Sequence, residues 1–245
     1  MAGRRDPASL YECSIVESRQ VGAYRLVSAV LPEVAEAARP GQFLMVRKAG
    51  SSLDPLLPRP MGVHDIDADL VKLLGERVGK GTRVLAETAV GDRLSVLGPL
   101  GNGFALNGGG GTALLIGGGI GISPLALLAK ALKEKGREVR CLLGFKTRLQ
   151  AVSAELFKGV EAELFTEDGT AGSKGMVSEP LSGYLDDYLA KEAGAVEIFA
   201  CGPAASARAR SAARSARSAR SARSGRSGFP AAAGAAARGS SGASR

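Results

Sequence analysis

The sequence has 245 residues, three cysteines, no tryptophan and a formal net charge of +8. Nine arginines and no carboxylates fall in residues 204–245, and subtracting these nine charges from +8 leaves −1 for residues 1–203. This near-neutral part argues against a nucleic-acid-binding protein with a basic face. Three scattered cysteines argue against a disulfide framework, residues 1–10 contain no apolar run of the kind found in signal peptides, and the longest apolar run is too short for a membrane span. We therefore expect a cytoplasmic protein that does not contact a membrane.

Short β-rich runs separated by turn residues fill the first hundred residues. They predict a small antiparallel barrel, interrupted by helices near 32–38 and 82–88. The predicted strands are Tyr11–Val16, Tyr24–Val30, Gln42–Arg47, Leu70–Leu74 and Arg93–Leu97. We interpret Arg59-Pro60-Met61-Gly62 as a loop whose arginine either pairs with a diphosphate or faces solvent. The single histidine, His64, stands beside Asp65, and we favour a structural role for it over an acid/base pair.

From residue 112 onward, strands alternate with segments of helical length, as in a parallel sheet covered by helices. The predicted strands are Thr112–Ile116, Glu138–Leu143, Glu161–Thr166 and Val196–Ala200, and the predicted helices are Ser123–Lys135 and Val177–Ala190. The predicted fold class is α/β plus β. An antiparallel β-barrel domain (1–104) precedes a parallel-sheet nucleotide-binding domain (112–203) that is truncated after its fourth strand. A low-complexity Ala/Arg/Ser tail (204–245) follows and is expected to be disordered.

A glycine-rich run connects the first predicted strand of this sheet to its helix. It reads Gly117-Gly118-Gly119-Ile120-Gly121-Ile122-Ser123-Pro124. Glycines let backbone N–H groups approach a pyrophosphate, and the start of a helix favours negative charge. A plain tight turn is the alternative, but the strand-to-helix context is the one that phosphate binding requires.

Cys201-Gly202-Pro203 follows the last predicted strand, at the sheet end where open parallel sheets bind ligands. The thiol of Cys201 either faces the nicotinamide of a bound dinucleotide or is a small core residue. Position alone leaves both interpretations open.

The order of these motifs resembles the ferredoxin-reductase superfamily. The motifs are Arg59-Pro60, Val78-Gly79-Lys80-Gly81-Thr82, Leu97-Gly98-Pro99-Leu100-Gly101-Asn102-Gly103-Phe104, the glycine-rich run and Cys201-Gly202-Pro203. Within the superfamily, the run at 98–104 and Asp54-Pro55-Leu56-Leu57 are similar to the electron-transfer subunits of dihydroorotate dehydrogenase B. The resemblance covers about residues 10–203.

This resemblance implies an FAD on the barrel and an NAD on the second domain. The implied FAD contacts are Arg59, Pro60, Met61, Gly62, Leu74, Gly75, Glu76, Gly81 and Thr82. The implied NAD contacts are Gly117, Gly118, Gly119, Gly121, Ser123, Pro124, Cys201, Gly202 and Pro203. Electrons from dihydroorotate, oxidised at FMN in a separate catalytic subunit, would reach NAD through a [2Fe-2S] cluster and the FAD, as part of pyrimidine biosynthesis. The family assembles as a heterotetramer with two copies of each subunit.

Several positions depart from the family pattern. Gly62 lacks the usual hydroxyl, Gly75 replaces an aromatic residue, Glu76 replaces a basic one, and Pro58 stands where a second arginine is common. These changes predict weaker flavin binding than in relatives. Relatives also carry a cluster of four cysteines for the [2Fe-2S] centre after their Cys-Gly-Pro motif. No cysteine follows Cys201, so we expect no metal centre in this chain.

The tail repeats Ser-Ala-Arg between Ser211 and Arg223. It is either a natural disordered arm that binds RNA or acidic partners or the product of a shifted reading frame, which we favour because the change falls in mid-domain. Three functions stay open. The first, which we favour, is an electron-transfer subunit of dihydroorotate dehydrogenase, impaired by loss of its iron-sulfur segment. The others are a ferredoxin–NAD(P) reductase-like flavoprotein subunit and a nucleic-acid-binding protein acting through its arginine tail.

Overall fold

A computed structural model describes residues 8–50, 57–106, 111–177, 179 and 196–202, and the structural statements below concern these residues. Several sequence predictions fall outside this range. They are the helix at 177–190 apart from Val177 and Glu179, the Asp54-Pro55-Leu56 part of one motif, Pro203, and the tail at 204–245.

Six antiparallel strands close a barrel in the first half of the described chain, in the order β1-β2-β5-β4-β3-β6. The strands are β1 (Ser9–Val21), β2 (Tyr24–Val30), β3 (Phe43–Lys48), β4 (Arg59–Asp67), β5 (Leu70–Glu76) and β6 (Arg93–Leu100), and the helices are α1 (Pro32–Ala37) and α2 (Lys80–Ala86). Branched apolar side chains such as Val46, Val71 and Val96 alternate inward and fill the barrel. The predicted antiparallel barrel is confirmed.

Strand β4 corrects our interpretation of the Arg59 motif as a loop. Arg59 pairs with Val46 on β3, and Val63 pairs with Leu73 on β5. Pro60 and Gly62 are both disfavoured inside strands, which is why the sequence pattern concealed this one. The barrel can close only through β4, because it joins the two halves of the wall.

The second half of the described chain forms a parallel sheet in the order β10-β9-β8-β7-β11. Its strands are β7 (Ala113–Gly118), β8 (Val139–Phe145), β9 (Glu161–Thr166), β10 (Ser173–Lys174) and β11 (Glu197–Cys201). The helices are α3 (Ser123–Glu134) and α4 (Arg148–Ala151), with 3₁₀ turns at Gly119–Ile122 and Val152–Leu156. The four predicted strands are present, and β10 adds a fifth that is too short to leave a periodic pattern.

One hydrophobic cluster spans both halves of the described chain. From the barrel it takes Tyr24, Leu26 and Leu74, and from the sheet half it takes Leu115 and Leu125, among others. The barrel and the sheet therefore share a core along their junction. Among the helices that the structure describes, none combines the length and the apolarity needed to cross a lipid bilayer.

Candidate functional site

The glycine-rich loop sits at the carboxyl end of β7 and packs directly on the end of β11. Parallel pairing sets Cys201 beside Gly117. A Cβ atom at Gly121 would lie 2.6 Å from the Cα of Gly202, so a side chain there would collide with backbone. Gly202 has a φ of +116°, in the region that favours glycine. The structure thus brings these sequence-predicted NAD residues together.

Open space lies beside Gly119, where the loop turns into its 3₁₀ helix. This residue has a φ of +55°, and a Cβ atom placed on it would meet, among the described residues outside its own turn, the hydroxyl of Tyr24 at 4.0 Å. The loop borders a cavity of about 380 Å³. Its lining residues are Glu76, Gly118, Gly119, Ile120, Gly144, Phe145, Lys146, Gln150, Glu167, Met176 and Val177. Such a volume suits part of a dinucleotide.

Arg59 on β4 reaches the first turn of α2. Its guanidinium occupies the space beside Gly81, since a Cβ atom at Gly81 would lie 2.6 Å from Arg59 Cζ. The Thr82 hydroxyl accepts hydrogen bonds from the backbone N–H groups of Val78 and Gly79, both at 3.0 Å. Three of the predicted FAD residues, Arg59, Gly81 and Thr82, therefore meet at one end of the barrel. The Arg59 guanidinium lies next to the turn that the Thr82 hydroxyl holds.

Met61 occupies the space that a side chain at Gly75 would take. A Cβ atom at Gly75 would lie 2.9 Å from Met61 Cε. Both residues, together with Thr82, line a narrow, mostly apolar cavity of about 20 Å³. Leu74 points the other way, into the shared core, so that it offers a ligand only its backbone.

Glu76 lines the same cavity as the glycine loop, although the sequence grouped it with the FAD residues. Its Oε1 atom accepts a hydrogen bond from Gln150 Nε2 at 3.0 Å. The Oε1 atom of Gln150 accepts one from the backbone N–H of Lys146 at 2.9 Å. Gln150 therefore fixes the Glu76 carboxylate against the sheet half of the molecule.

The start of α3 contacts β4. Pro124 lies against Gly62, 3.5 Å from the place a Cβ atom would take, and the Ser123 hydroxyl donates to the Gly62 carbonyl at 3.4 Å. His64 Nδ1 lies 3.1 Å from the Ser123 carbonyl oxygen. Burial of its ring lowers the pKa of His64 to about 4, which makes it a neutral donor to that carbonyl. It has the structural role that we favoured.

Cys201 is half-buried at the end of β11. Burial raises the pKa of its thiol, and a hydrogen bond to the Gly202 backbone opposes the shift. The thiol is therefore protonated at neutral pH and is not a strong nucleophile. It also packs against the shared hydrophobic cluster, so the core interpretation describes part of its surroundings.

Sequence reasoning missed Tyr24, Gln150, Lys146 and Glu167 as neighbours of the glycine loop. For Tyr24, the sequence offered only the alternation of inward and outward residues along β2. That alternation predicts a side chain that points inward, but it does not predict which residues the side chain contacts. Glu167 directly follows β9, and the carboxyl ends of parallel strands meet at one edge, so its place in the cavity was within reach of the sequence.

The three cysteines lie on three separate strands. Cys13 is on β1 in the barrel core, Cys141 is in the middle of β8, and Cys201 ends β11. Among the described residues, no group of three or more histidine, cysteine, aspartate and glutamate side chains is arranged to hold a metal ion. An iron-sulfur centre of the kind considered above needs four thiolates, which these residues do not provide.

Known proteins resemble this chain over most of its described part. The electron transfer subunit of dihydroorotate dehydrogenase B (NAD(+)) from Lysinibacillus sphaericus is 36% identical over 194 residues, covering 77% of this chain and 72% of that protein. The subunit of the same name from Bacillus caldolyticus is 40% identical over 181 residues, covering 72% and 67%. No family model matches the sequence.

Solved structures agree in fold. The NADH-dependent reduced ferredoxin-NADP oxidoreductase of flavin-based electron bifurcation is similar, with a TM-score of 0.65 and 28% identity over 83% of this chain and 70% of that one. A ferredoxin NADP+ reductase from Neisseria gonorrhoeae with bound FAD and NADP has a TM-score of 0.64 and 14% identity, over 78% and 84%. The second similarity concerns the fold alone.

Proposed function

Because this chain belongs to the family of dihydroorotate dehydrogenase B electron-transfer subunits, with relatives 36% to 40% identical to it, we propose that it transfers electrons between an FAD on the barrel and an NAD at the carboxyl end of the parallel sheet. It is a subunit of the flavin-dependent NAD(P) oxidoreductase class. The observation that carries the proposal is the junction at which the loop bearing Gly121 contacts Gly202 while Pro124, just after it, contacts Gly62 on β4.

The residues at the barrel end fit the pyrophosphate of a flavin nucleotide. Arg59 supplies a planar cationic fork, and Gly81 leaves the room in which that fork lies. The Thr82 hydroxyl holds the turn at Val78 and Gly79. A bound flavin supplies both one-electron and two-electron redox chemistry.

The glycine loop and the cavity beside it fit a nicotinamide dinucleotide. Backbone N–H groups at the start of α3 favour the pyrophosphate. Glu76 and Glu167 line the same cavity, and a carboxylate accepts hydrogen bonds from ribose hydroxyls but repels a 2′-phosphate. We therefore propose NAD rather than NADP as the ligand.

The chain's own side chains orient the ligands rather than exchange protons with them. His64 is buried, neutral and bonded to the Ser123 carbonyl. Burial keeps the Cys201 thiol protonated. Pro124 and Gly62 hold the loop against β4, and close approach of two redox groups is what hydride transfer requires.

We propose that the electrons come from dihydroorotate, oxidised at FMN in a catalytic subunit, within pyrimidine biosynthesis and in a cytoplasmic heterotetramer with two copies of each subunit. The names of the relatives support a catalytic partner. The three cysteines of the sequence do not fit a [2Fe-2S] centre, so transfer from that partner is impaired in this chain while exchange between FAD and NAD is retained.

We also propose three units along the chain: an FAD-binding domain at 1–104, an NAD-binding domain at 112–203 and a separate tail at 204–245. The last barrel strand ends at Leu100 and the first sheet strand begins at Ala113, which supports a boundary between them.

The test uses the full chain purified with FAD. We expect a yellow protein with a flavin absorption spectrum that reduces a dye with NADH, and does so faster than with NADPH. Added to an FMN-containing catalytic subunit, it should give little dihydroorotate-dependent reduction of NAD.

A colourless protein under flavin-replete conditions would contradict the proposal. Rapid reduction of ferredoxin, without any response to the catalytic subunit, would favour the ferredoxin–NAD(P) reductase-like alternative. Steeply salt-dependent RNA binding that is lost on deletion of 204–245 would favour the nucleic-acid alternative.

A further inference from the structure

The hydroxyl of Tyr24 is buried without a hydrogen-bond partner. The side chain is 0% exposed, and among the described residues no donor or acceptor lies within reach of its oxygen. A buried polar group left unpaired costs about 1–3 kcal/mol. Native proteins rarely keep such a group, so each instance calls for a cause.

The position of Tyr24 is fixed from two sides. It opens β2 opposite Glu76 on β5. The residue before it, Ala23, donates its backbone N–H to the Leu149 carbonyl at 3.0 Å, which anchors the tip of the β1–β2 hairpin on α4. The tyrosine is thus clamped between the barrel and the sheet.

The hydroxyl lies beside the open space at Gly119. Among the described residues outside the turn that contains Gly119, it is the one atom found within 4 Å of the place a Gly119 Cβ would take, and Gly119 and Glu76 both line the cavity beside the loop. Tyr24 does not itself line that cavity, so a ligand oxygen has to enter the space beside Gly119 to come within hydrogen-bond distance of the phenol.

The phenol is a donor at physiological pH. Burial, with a smaller contribution from the Glu76 carboxylate, raises the pKa of Tyr24 above its usual value. A protonated phenol that donates to an anionic oxygen makes a charge-assisted hydrogen bond, which is stronger than a neutral one.

We infer that Tyr24 donates a hydrogen bond to a pyrophosphate oxygen of the dinucleotide held at Gly119. The inference rests on the proposed function and adds to it a barrel side chain that recognises the nucleotide of the other half. The start of α3, a helix of 12 residues, supplies N–H donors and a favourable dipole from below. Tyr24 supplies a donor from the barrel side, so the pyrophosphate bridges the two halves.

Tyr24→Phe tests this directly, because it removes the hydroxyl and keeps the ring. For the FAD-loaded protein we expect the Kd of ADP-ribose, measured by calorimetry, to rise about tenfold. The nucleotide-free variant should melt at the same or a higher temperature than the original chain, since no partner is lost. Tyr11→Phe is the matched control: Tyr11 packs against the cluster that fills the barrel, and its loss of a hydroxyl should leave the Kd unchanged.

Each other outcome overturns the inference. An unchanged Kd in Tyr24→Phe removes the hydroxyl from recognition, and a clearly lower melting temperature without nucleotide means that it is paired within the fold. A loss of affinity for FAD alone, measured on the apoprotein, assigns the hydroxyl to the flavin pyrophosphate instead. If the original chain binds no ADP-ribose, the proposed function fails as well. If the original chain and Tyr24→Phe bind it equally, only the role of Tyr24 fails.

Discussion

His64 joins the barrel to the sheet through one hydrogen bond, from its ring to the Ser123 carbonyl at 3.1 Å. The residue is 2% exposed, so protonation would place a poorly solvated charge in the junction. Sequence alone placed a histidine next to Asp65 and could not place Ser123, because that contact depends on how α3 crosses β4. The close backbone contacts of the glycine loop were easier to predict, because a run of glycines already indicates a place where side chains would not fit.

We expect acid to destabilise the protein through His64. Its folded-state pKa of about 4 lies below the unfolded value of about 6.5. Between these values the unfolded chain binds more protons, so stability is full above about pH 6.5 and falls as the pH drops towards 4. The loss attributable to His64 reaches about 3 kcal/mol at most.

Urea unfolding of the original chain and of His64→Gln between pH 7 and 5 measures this. Gln keeps a donor for Ser123 and does not titrate, and His64 is the single histidine of the sequence. The free energy of unfolding of the variant should stay constant between pH 7 and 5, whereas that of the original chain should decrease. Identical pH profiles would contradict the assignment.

At the scale of elements, periodicity predicted most of the strands and the strand-loop-helix of the nucleotide site. The bounds of β2 and β9 match the predicted ranges, because both have clean apolar patterns. β4 escaped prediction because Pro60 and Gly62 interrupt its pattern, and its place between β5 and β3 depends on pairing between distant residues. The sequence motif at 78–82 predicted the turn before α2. It did not predict the contact of this turn with Arg59, which depends on where the barrel places β4.

Gly81→Ala tests that contact. The new Cβ would overlap the Arg59 guanidinium and force the fork away from the start of α2, so we expect FAD affinity to fall about tenfold. Gly79→Ala is the control, because a Cβ there meets nothing within 4 Å. Fluorescence titration of the apoprotein with FAD gives both constants, and equal affinities in the two variants would contradict the role of Arg59.

At the scale of the whole molecule, the described barrel and sheet share one hydrophobic cluster. Leu26 on β2 belongs to this shared cluster, whereas Leu44 on β3 belongs to a barrel cluster. Both are nearly inaccessible. A core common to two halves makes them unfold together.

Leu26→Ala should therefore lower the stability of both halves by about 2–5 kcal/mol. Hydrogen exchange of amides on β6 and β8 measures this, and the two strands should lose protection to the same extent. Leu44→Ala serves as a barrel-centred comparison. Unchanged protection of β8 in Leu26→Ala would mean that the halves unfold independently.

The contact of Gly121 with Gly202 leaves no side chain between two backbone segments. No side chain lies between the two segments that could change its rotamer and absorb a displacement. We therefore expect a shift of the glycine loop to displace Gly202 at the end of β11 by a similar amount.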